Sequence, residues 1–319
     1  MTFGGFQEGD FEAYATHKWK SNVFNRERLE VKQKLLTLGR EIAPGLTASD
    51  GSPLTLESSV EHPALWNHKQ VDTQKIFLSR SEDARKELDA IIDRQKSIAS
   101  LIEDPTPQRN HLFLTVVISQ GQSEVALRLH PDARIDRQNL ERKLTDHFER
   151  ERLLNLLHRL PESFQLGLHP GPLWPAHTLD EAQLLESAAQ FTAATSRPAL
   201  PGTPMPLWTV GRAWPRAEVI QLGHGFLDVA QQSLHALLPL YRFIAWSRDN
   251  DFVSMREMLQ KEKQTKRQKG LSRSDQVRIV RGMLAGKLGV VQDIDAKGAL
   301  KVLVGKLAVK VDAEDVEKA

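Results

Sequence analysis

Helical periodicity marks several segments of the chain. From Asn25 to Ile42, Leu and Ile recur at helical spacing among charged residues, which predicts an amphipathic helix. A similar pattern predicts a helix from Ser81 to Ile102. Another predicted helix has Asp136 as its N-cap and runs to about Leu157, and a fourth begins near Leu179. The longest runs from Gly223 to Asp249 and is apolar on several faces, which is typical of a helix sheltered beneath a sheet.

Strand-like segments lie between these helices. Leu54 to Val60, Val71 to Leu78 and Leu207 to Trp214 have strand-like composition. The clearest hairpin pairs His111 to Ser119, rich in Leu, Phe, Val and Ile, with Glu124 to His130, where polar and apolar residues alternate. Helices and strands mixed in this way predict an α+β fold with a mixed or antiparallel sheet.

Composition divides the chain into three parts. Residues 1–250 hold the elements above and are predicted to form one α+β domain. Residues 251–273 form a basic linker, in which Lys261 to Lys269 carries five basic residues, one acidic residue and no apolar residue. This segment is either a solvated connection or an arm that follows phosphate groups, and the two interpretations are compatible. Residues 274–319 are predicted to form a small all-β unit.

Charge is distributed unevenly along the chain. The formal net charge of the 319 residues is only +2. From Lys261 to Ala319, however, 14 basic residues stand against 8 acidic ones, while the preceding residues have 29 basic and 33 acidic. A basic tail on an acidic body suits a module that meets phosphate, and it also suits binding to an acidic protein surface.

Composition also excludes some kinds of site. The chain has no cysteine, which excludes disulfides, iron-sulfur clusters, thiolate zinc sites and a thiol nucleophile. Met1 to Tyr14 lacks the cationic start and apolar run of a secretory signal. Leu234 to Trp246, the most apolar stretch, is too short to cross a bilayer. We therefore expect a cytoplasmic protein without a membrane segment.

The C-terminal unit contains four short apolar runs separated by turns. The predicted strands are Gln276 to Val280, Val290 to Ile294, Leu300 to Val304 and Leu307 to Val311. Four short strands in so few residues predict a small barrel, because closure removes sheet edges. Gly282, Gly286 and Gly289 are predicted turn residues, where the backbone takes a positive φ.

A family resemblance rests on this unit, at about residues 275–316. Val277 to Val280, Gly282, Gly286 to Val291 and Ile294 resemble, in order and spacing, the KOW motif of NusG-type elongation factors and several ribosomal proteins. The resemblance implies an SH3-like barrel, with Gly289 at the glycine typical of the family. It also implies contact with RNA or ribonucleoprotein, with RNA polymerase and the ribosome as candidate partners. The body is faintly similar to uncharacterised bacterial proteins, which imply no function.

The candidate nucleic-acid-binding residues are cations that can reach phosphate without being buried. They are Lys263, Lys266, Arg267, Lys269, Arg273, Arg278, Arg281 and Lys287. Alternatively, these side chains keep a linker and a barrel surface solvated and have no binding role. A second hypothesis is a protein-interaction adaptor whose barrel docks a protein partner. No cofactor or metal site is predicted.

An enzyme is the third hypothesis. Sequence patterns of serine hydrolases and nucleotide-binding loops are missing, and no catalytic residue is assigned. His62, His68 and Asp72 form the densest polar and aromatic cluster of the body, where a hydrolase would place metal-binding or acid-base groups, whereas structural histidines are the commoner alternative. Glu141 and Lys143 have an acidic-x-Lys spacing found in nucleases, but charge pairs of this density are ordinary on the surface helix predicted there.

Aromatic and basic residues are interleaved near the N-terminus, from His17 to Arg26. Such a run could stack on nucleic-acid bases. Trp19 and Phe24 are alternatively hydrophobic anchors for the helix that follows, which is the commoner arrangement.

Overall fold

The computed structural model describes residues 2–92, 109–195, 206–254, 273–282, 284–294, 299–305, 307–312 and 315–318. The protein has an α+β fold and divides into two compact units, Met1–Val253 and Ser254–Ala319. The predicted fold class is confirmed. The first unit mixes helices with one sheet, and the second is built on a separate small sheet.

The helices of the first unit agree in large part with the sequence patterns. Their bounds are α1 Glu8–Glu12, α2 Asn25–Ile42, α3 Glu82–Ile92, α4 Arg134–Thr145, α5 His147–His158, α6 Glu181–Thr195, α7 Arg216–Leu222 and α8 Phe226–Ile244. Helix α2 has the predicted bounds. The predicted helix from Ser81 to Ile102 is α3 as far as Ile92, and its remainder lies outside the described residues.

The first sheet has seven strands and every neighbouring pair is antiparallel. The bounds are β1 Thr55–Ser58, β2 Thr73–Ser79, β3 Phe113–Ser119, β4 Gln122–Leu129, β5 Gln165–His169, β6 Leu173–Pro175 and β7 Leu207–Pro215. Their order is β1-β2-β3-β4-β7-β5-β6, so β7 is inserted between β4 and β5. The predicted β3–β4 hairpin is confirmed, with a turn of only Gln120 and Gly121.

Helix α8 forms the centre of the first hydrophobic core. Its Leu234, Leu237 and Leu240 are fully buried, and the helix packs against β3 and β4. Burying a leucine side chain stabilises a fold by roughly 1.5–3 kcal/mol. The prediction of a long helix sheltered by a sheet is therefore confirmed, but its predicted bounds of Gly223 and Asp249 are wrong, because α8 runs only from Phe226 to Ile244. Arg242 does not interrupt this packing, because its guanidinium donates to the carbonyl and hydroxyl of Thr47 at the helix end.

The prediction of one helix beginning at Asp136 is wrong. Asp136 lies in the first turn of α4, where its buried carboxylate accepts hydrogen bonds from Arg80 and from the backbone N–H groups of Leu112 and Trp246. The chain then becomes extended at Asp146, whose side chain caps α5 by accepting from the N–H of Glu149 at 3.0 Å. An extended residue inside the segment splits it into two helices.

The stretch rich in proline and glycine from His169 to Pro175 contains regular structure. Its end forms β6, a three-residue strand that pairs with β5 at the edge of the sheet. An edge strand tolerates proline, because the missing N–H group can face away from the ladder. Sequence patterns that penalise proline therefore overlook such a strand.

The second unit contains five antiparallel strands, β8 Gln276–Ile279, β9 Leu288–Ile294, β10 Ala299–Val304, β11 Leu307–Asp312 and β12 Val316–Lys318. Their order is β11-β10-β9-β8-β12. The four predicted strands are confirmed, and β12 was not predicted. Alternate positions face a small core of Val277, Ile279, Val291, Leu300, Val302 and Val316.

The basic run Lys261 to Lys269 lies outside the described residues. Within the parts of the chain that are described, no helix has the length and apolar character needed to cross a membrane.

Candidate nucleic-acid interface

The cations of the second unit gather around the connection between β8 and β9. Arg278 points outward from β8, because Val277 and Ile279 on either side of it face the core. Arg281 follows this strand, and Lys287 immediately precedes β9. All three side chains are exposed. They form no ion pair or hydrogen bond with another residue of the described ranges.

Glycines shape this connection. Gly282 and Gly286 have φ of 87° and 84°, a left-handed conformation that costs side-chain-bearing residues roughly 1–2 kcal/mol. The loop closes on β8 where the N–H of Gly286 donates to the carbonyl of Ile279 at 2.6 Å. Arg281 and Lys287 thus flank a turn of defined geometry.

Gly289 has a different role from the one predicted. It lies inside β9 and has no positive φ. A Cβ atom at this position would stand 2.5 Å from Val302 Cγ1 and 2.8 Å from the carbonyl oxygen of Leu303. Close approach of β10, rather than a turn, is therefore what requires glycine here.

Arg273 differs from the other candidate cations because it already has an anionic partner. Its guanidinium donates to Asp293 Oδ1, with Nε at 3.1 Å, and this hydrogen bond lowers the pKa of the Asp293 carboxyl. The Arg273 side chain remains 72% exposed. An exposed pair of this kind contributes at most about 1 kcal/mol, so phosphate could compete for Arg273.

Acidic residues limit the basic surface on the other side of β8. Glu317 of β12 stands directly opposite Arg278 in the strand register. Lys318 in the same strand pairs with Asp275 at 3.0 Å. On β10 and β11, Lys301 and Lys310 stand opposite each other. Among the described residues of the unit, the exposed cations without an ion pair therefore include Arg278, Arg281 and Lys287 at the β8–β9 connection and Lys301 on β10.

Exposed aliphatic side chains share the outer surface with these cations. Leu288, opposite Arg278 in the register, is 53% exposed, and Val290 is 36% exposed. Val280 and Leu307 are also exposed. Single exposed aliphatic residues are normal on a protein surface. Here they lie beside Arg278, so the surface combines apolar and cationic groups and suits a protein partner as well as a phosphate backbone.

The candidate hydrolase residues show structural contacts. The carbonyl of His62 accepts from the Asn67 amide at 2.9 Å, and its ring Nδ1 lies 3.7 Å from a carboxylate oxygen of Glu61. His68 is exposed in a left-handed turn, and Asp72 accepts from its neighbour Thr73. Among the residues with described positions, no group of three or more His, Cys, Asp or Glu side chains could hold a metal ion.

The aromatic residues near the N-terminus anchor the chain. The indole N–H of Trp19 donates to the carbonyl of Tyr14 at 2.7 Å. Lys18 lies 5.0 Å from the centre of the Phe24 ring and forms an ion pair with Glu27 at 2.6 Å. These contacts favour the structural interpretation of Trp19 and Phe24 over base stacking.

A buried lysine was missed by the sequence analysis. Lys143 is only 2% exposed, so the helix that carries it is not a surface helix at this position. Its Nζ donates to the carbonyl of Phe243 at 2.9 Å and lies 3.4 Å from Glu149. The rings of Phe243 and Phe252 enclose the ammonium group at 3.9 and 4.6 Å. Burial lowers the pKa of Lys143, and the carboxylate of Glu149 opposes this shift.

Lys143 lines a cleft of about 580 Å³ together with Glu149, Arg152 and Arg242. The contacts of Lys143 and Arg242 hold the end of α8 and the residues around it in place. Glu141 is engaged elsewhere, with Arg137 and Thr192. The acidic-x-Lys spacing therefore does not bring a carboxylate and this lysine to a shared nuclease-like site.

Comparison with known proteins assigns no family. No protein-family model matches the chain, and no curated protein matches it at a significant level.

Proposed function

We propose that the protein is a non-catalytic cytoplasmic factor that binds RNA or ribonucleoprotein in transcription or translation. The observation that carries the proposal is the exposed set Arg278, Arg281 and Lys287 at one strand connection, whose side chains lack ionic partners among the described residues. Unpaired exposed cations release counterions when they meet phosphates, which drives binding to nucleic acid. RNA polymerase and the ribosome are candidate surfaces.

The strand arrangement supports the KOW interpretation of this unit. Strands β8 to β11 follow one another as a meander, and β12 returns to the free side of β8. This small antiparallel arrangement is compatible with the barrel that the sequence predicts. The glycine in β9 packs against β10, and the glycines of the β8–β9 connection have the backbone conformation that its turn requires.

Charge along the chain supports the same proposal. Lys263, Lys266, Arg267 and Lys269 precede β8 in the sequence and add cations that can follow a phosphate backbone. Arg273 adds a further cation once its exposed pairing with Asp293 is exchanged for phosphate.

Fluorescence anisotropy with labelled RNA and duplex DNA tests the proposal. The full chain is compared at several salt concentrations with a triple variant, Arg278→Gln, Arg281→Gln and Lys287→Gln. We expect the variant to bind more weakly and with a salt slope that is smaller by about 2 to 3, since each phosphate contact contributes close to one.

A matched control changes three exposed cations of the first unit, Lys20→Gln, Arg142→Gln and Arg159→Gln. It removes the same net charge, and these side chains also lack ionic partners among the described residues. Equal loss of affinity in both triple variants would show a general charge effect and contradict the assigned interface. Absence of binding by the unmodified chain would contradict the proposed function itself.

Docking of a protein partner is the second candidate function. It is favoured by the exposure of Leu288 and Val290 beside Arg278. An aliphatic contact changes little with salt, whereas phosphate binding weakens steeply. Binding of a ribonucleoprotein that persists at high salt and is lost in Leu288→Asp would favour this candidate over nucleic-acid binding.

A further inference from the structure

The second unit contains no aromatic residue. All 12 Phe, 6 Trp and 2 Tyr residues of the chain precede position 254. Surfaces that bind single-stranded nucleic acid without sequence preference use aromatic side chains as stacking platforms, worth about 1–3 kcal/mol per base. The second unit cannot supply this contribution.

The exposed apolar side chains beside the cations are aliphatic. Leu288, Val290 and Val280 occupy the outer surface around Arg278, and branched aliphatic groups have no π face on which a base can stack. Contact with nucleic acid then depends on the guanidinium groups of Arg278 and Arg281 and the ammonium group of Lys287. Their geometry suits phosphate oxygens, which guanidinium groups bind in a bidentate manner.

We infer that the second unit binds the phosphate backbone of double-stranded or folded nucleic acid in preference to single strands, and without sequence preference. This inference rests on the proposed function. A duplex presents one negative charge per about 1.7 Å along its axis, a higher density than an extended single strand offers. A surface whose binding free energy comes from charge and not from stacking therefore binds the form with the higher charge density more tightly.

The size of the effect follows from the number of cations. Three phosphate contacts give a slope of log affinity against log salt of about −2.7 on a duplex and about −2.1 on a single strand. If the four basic linker residues named above also contact phosphate, the slope on a duplex approaches about −6.

The test compares a duplex with each of its separated strands, at equal length and over a salt series, by anisotropy with the full chain. We expect tighter binding and a steeper slope for the duplex, with little change when the base sequence is permuted. Equal or tighter binding of the single strands, or a strong dependence on sequence, would overturn the inference while leaving the proposed function intact. Binding to neither form would instead overturn the proposed function.

A gain-of-function variant checks the physical reason. Leu288→Trp places an aromatic ring at an exposed position beside Arg278. We expect the variant to bind single strands at least about fivefold more tightly, with a much smaller change for the duplex. The conservative variant Leu288→Met controls for substitution at this position without an aromatic ring. If Leu288→Trp leaves the preference for the duplex unchanged, the absence of aromatic residues does not explain that preference, and the stacking argument for it is wrong.

Discussion

Lys143 shows how the surroundings of one residue decide its role. A lysine in a charged segment is normally exposed, but the carbonyl of Phe243, the carboxylate of Glu149 and two phenyl rings surround this one. Burial alone disfavours the ammonium form, and each of these contacts offsets part of that cost. Lys143 therefore stabilises the end of α8 only when the carbonyl, the carboxylate and the two rings all contact its ammonium group.

Replacing Lys143 with methionine tests this set of contacts. Lys143→Met keeps a long apolar side chain but removes the donor to Phe243 and one of the two cations near Glu149, whose carboxylate also lies 3.5 Å from Arg152. We expect the free energy of unfolding to fall by about 1–3 kcal/mol, measured by urea denaturation.

The second substitution Glu149→Gln in the Lys143→Met background provides the control. Because it removes the carboxylate that has lost its Lys143 partner, it should recover part of the lost stability. If Lys143→Met alone is as stable as the unmodified protein, the ammonium contacts contribute nothing net to the fold.

At the scale of elements, α4 ties the end of α8 to the chain that follows it. Asp136, Asn139 and Lys143 lie on one side of α4, and all three are buried. Asn139 donates to the carbonyl of Ile244 at 3.1 Å and accepts from the N–H of Phe252 at 2.9 Å. This polar row satisfies backbone groups that the C-terminus of a helix leaves unpaired.

Close packing between β9 and β10 is the corresponding constraint in the second unit. Gly289→Ala would place a Cβ atom 2.5 Å from a methyl carbon of Val302 and close to backbone. We expect a loss of about 1–3 kcal/mol in the stability of this unit, measured by hydrogen exchange of the Val302 amide.

Gly121→Ala is the control for loss of glycine as such. It lies in the β3–β4 turn, where a Cβ atom would meet nothing within 4 Å. Hydrogen exchange across β3 and β4 should change little in this variant. Unchanged protection of Val302 in Gly289→Ala would show that β10 can move away at no cost.

Sequence patterns predict elements where the signal is local. The amphipathic period of α2 and the alternation in β9 and β10 are properties of neighbouring residues, so their positions were predicted well. The break before α5 also had a local signal, since Asp146 and Glu149 have the spacing of a capped helix start. For Lys143 no such signal exists, because its burial depends on residues a hundred positions away.

At the scale of the whole molecule, composition predicts the α+β class but not the order of the strands. Leu127 of β4 pairs with Val210 of β7, while β5 and β6 lie between them in sequence. Such a pairing depends on packing across the complete sheet, which periodicity does not report. The candidate interface was likewise only partly predictable from the sequence. The charge count indicates a basic tail. Only the structure distinguishes Arg273, which pairs with Asp293, from Arg278, which has no ion pair among the described residues.

The distribution of aromatic residues allows the two units to be followed separately during unfolding. Every tryptophan lies in the first unit, so tryptophan fluorescence reports that unit alone, whereas far-ultraviolet circular dichroism reports both. Six buried hydrophobic residues form the core among the described positions of the second unit, and small cores give marginal stability. We therefore expect a transition at lower urea concentration that is seen by circular dichroism and not by fluorescence.

Gly289→Ala should move this early transition to a still lower urea concentration and leave the fluorescence transition in place. If the two probes report the same transition, in the unmodified protein and in Gly289→Ala, the two units unfold as one cooperative body.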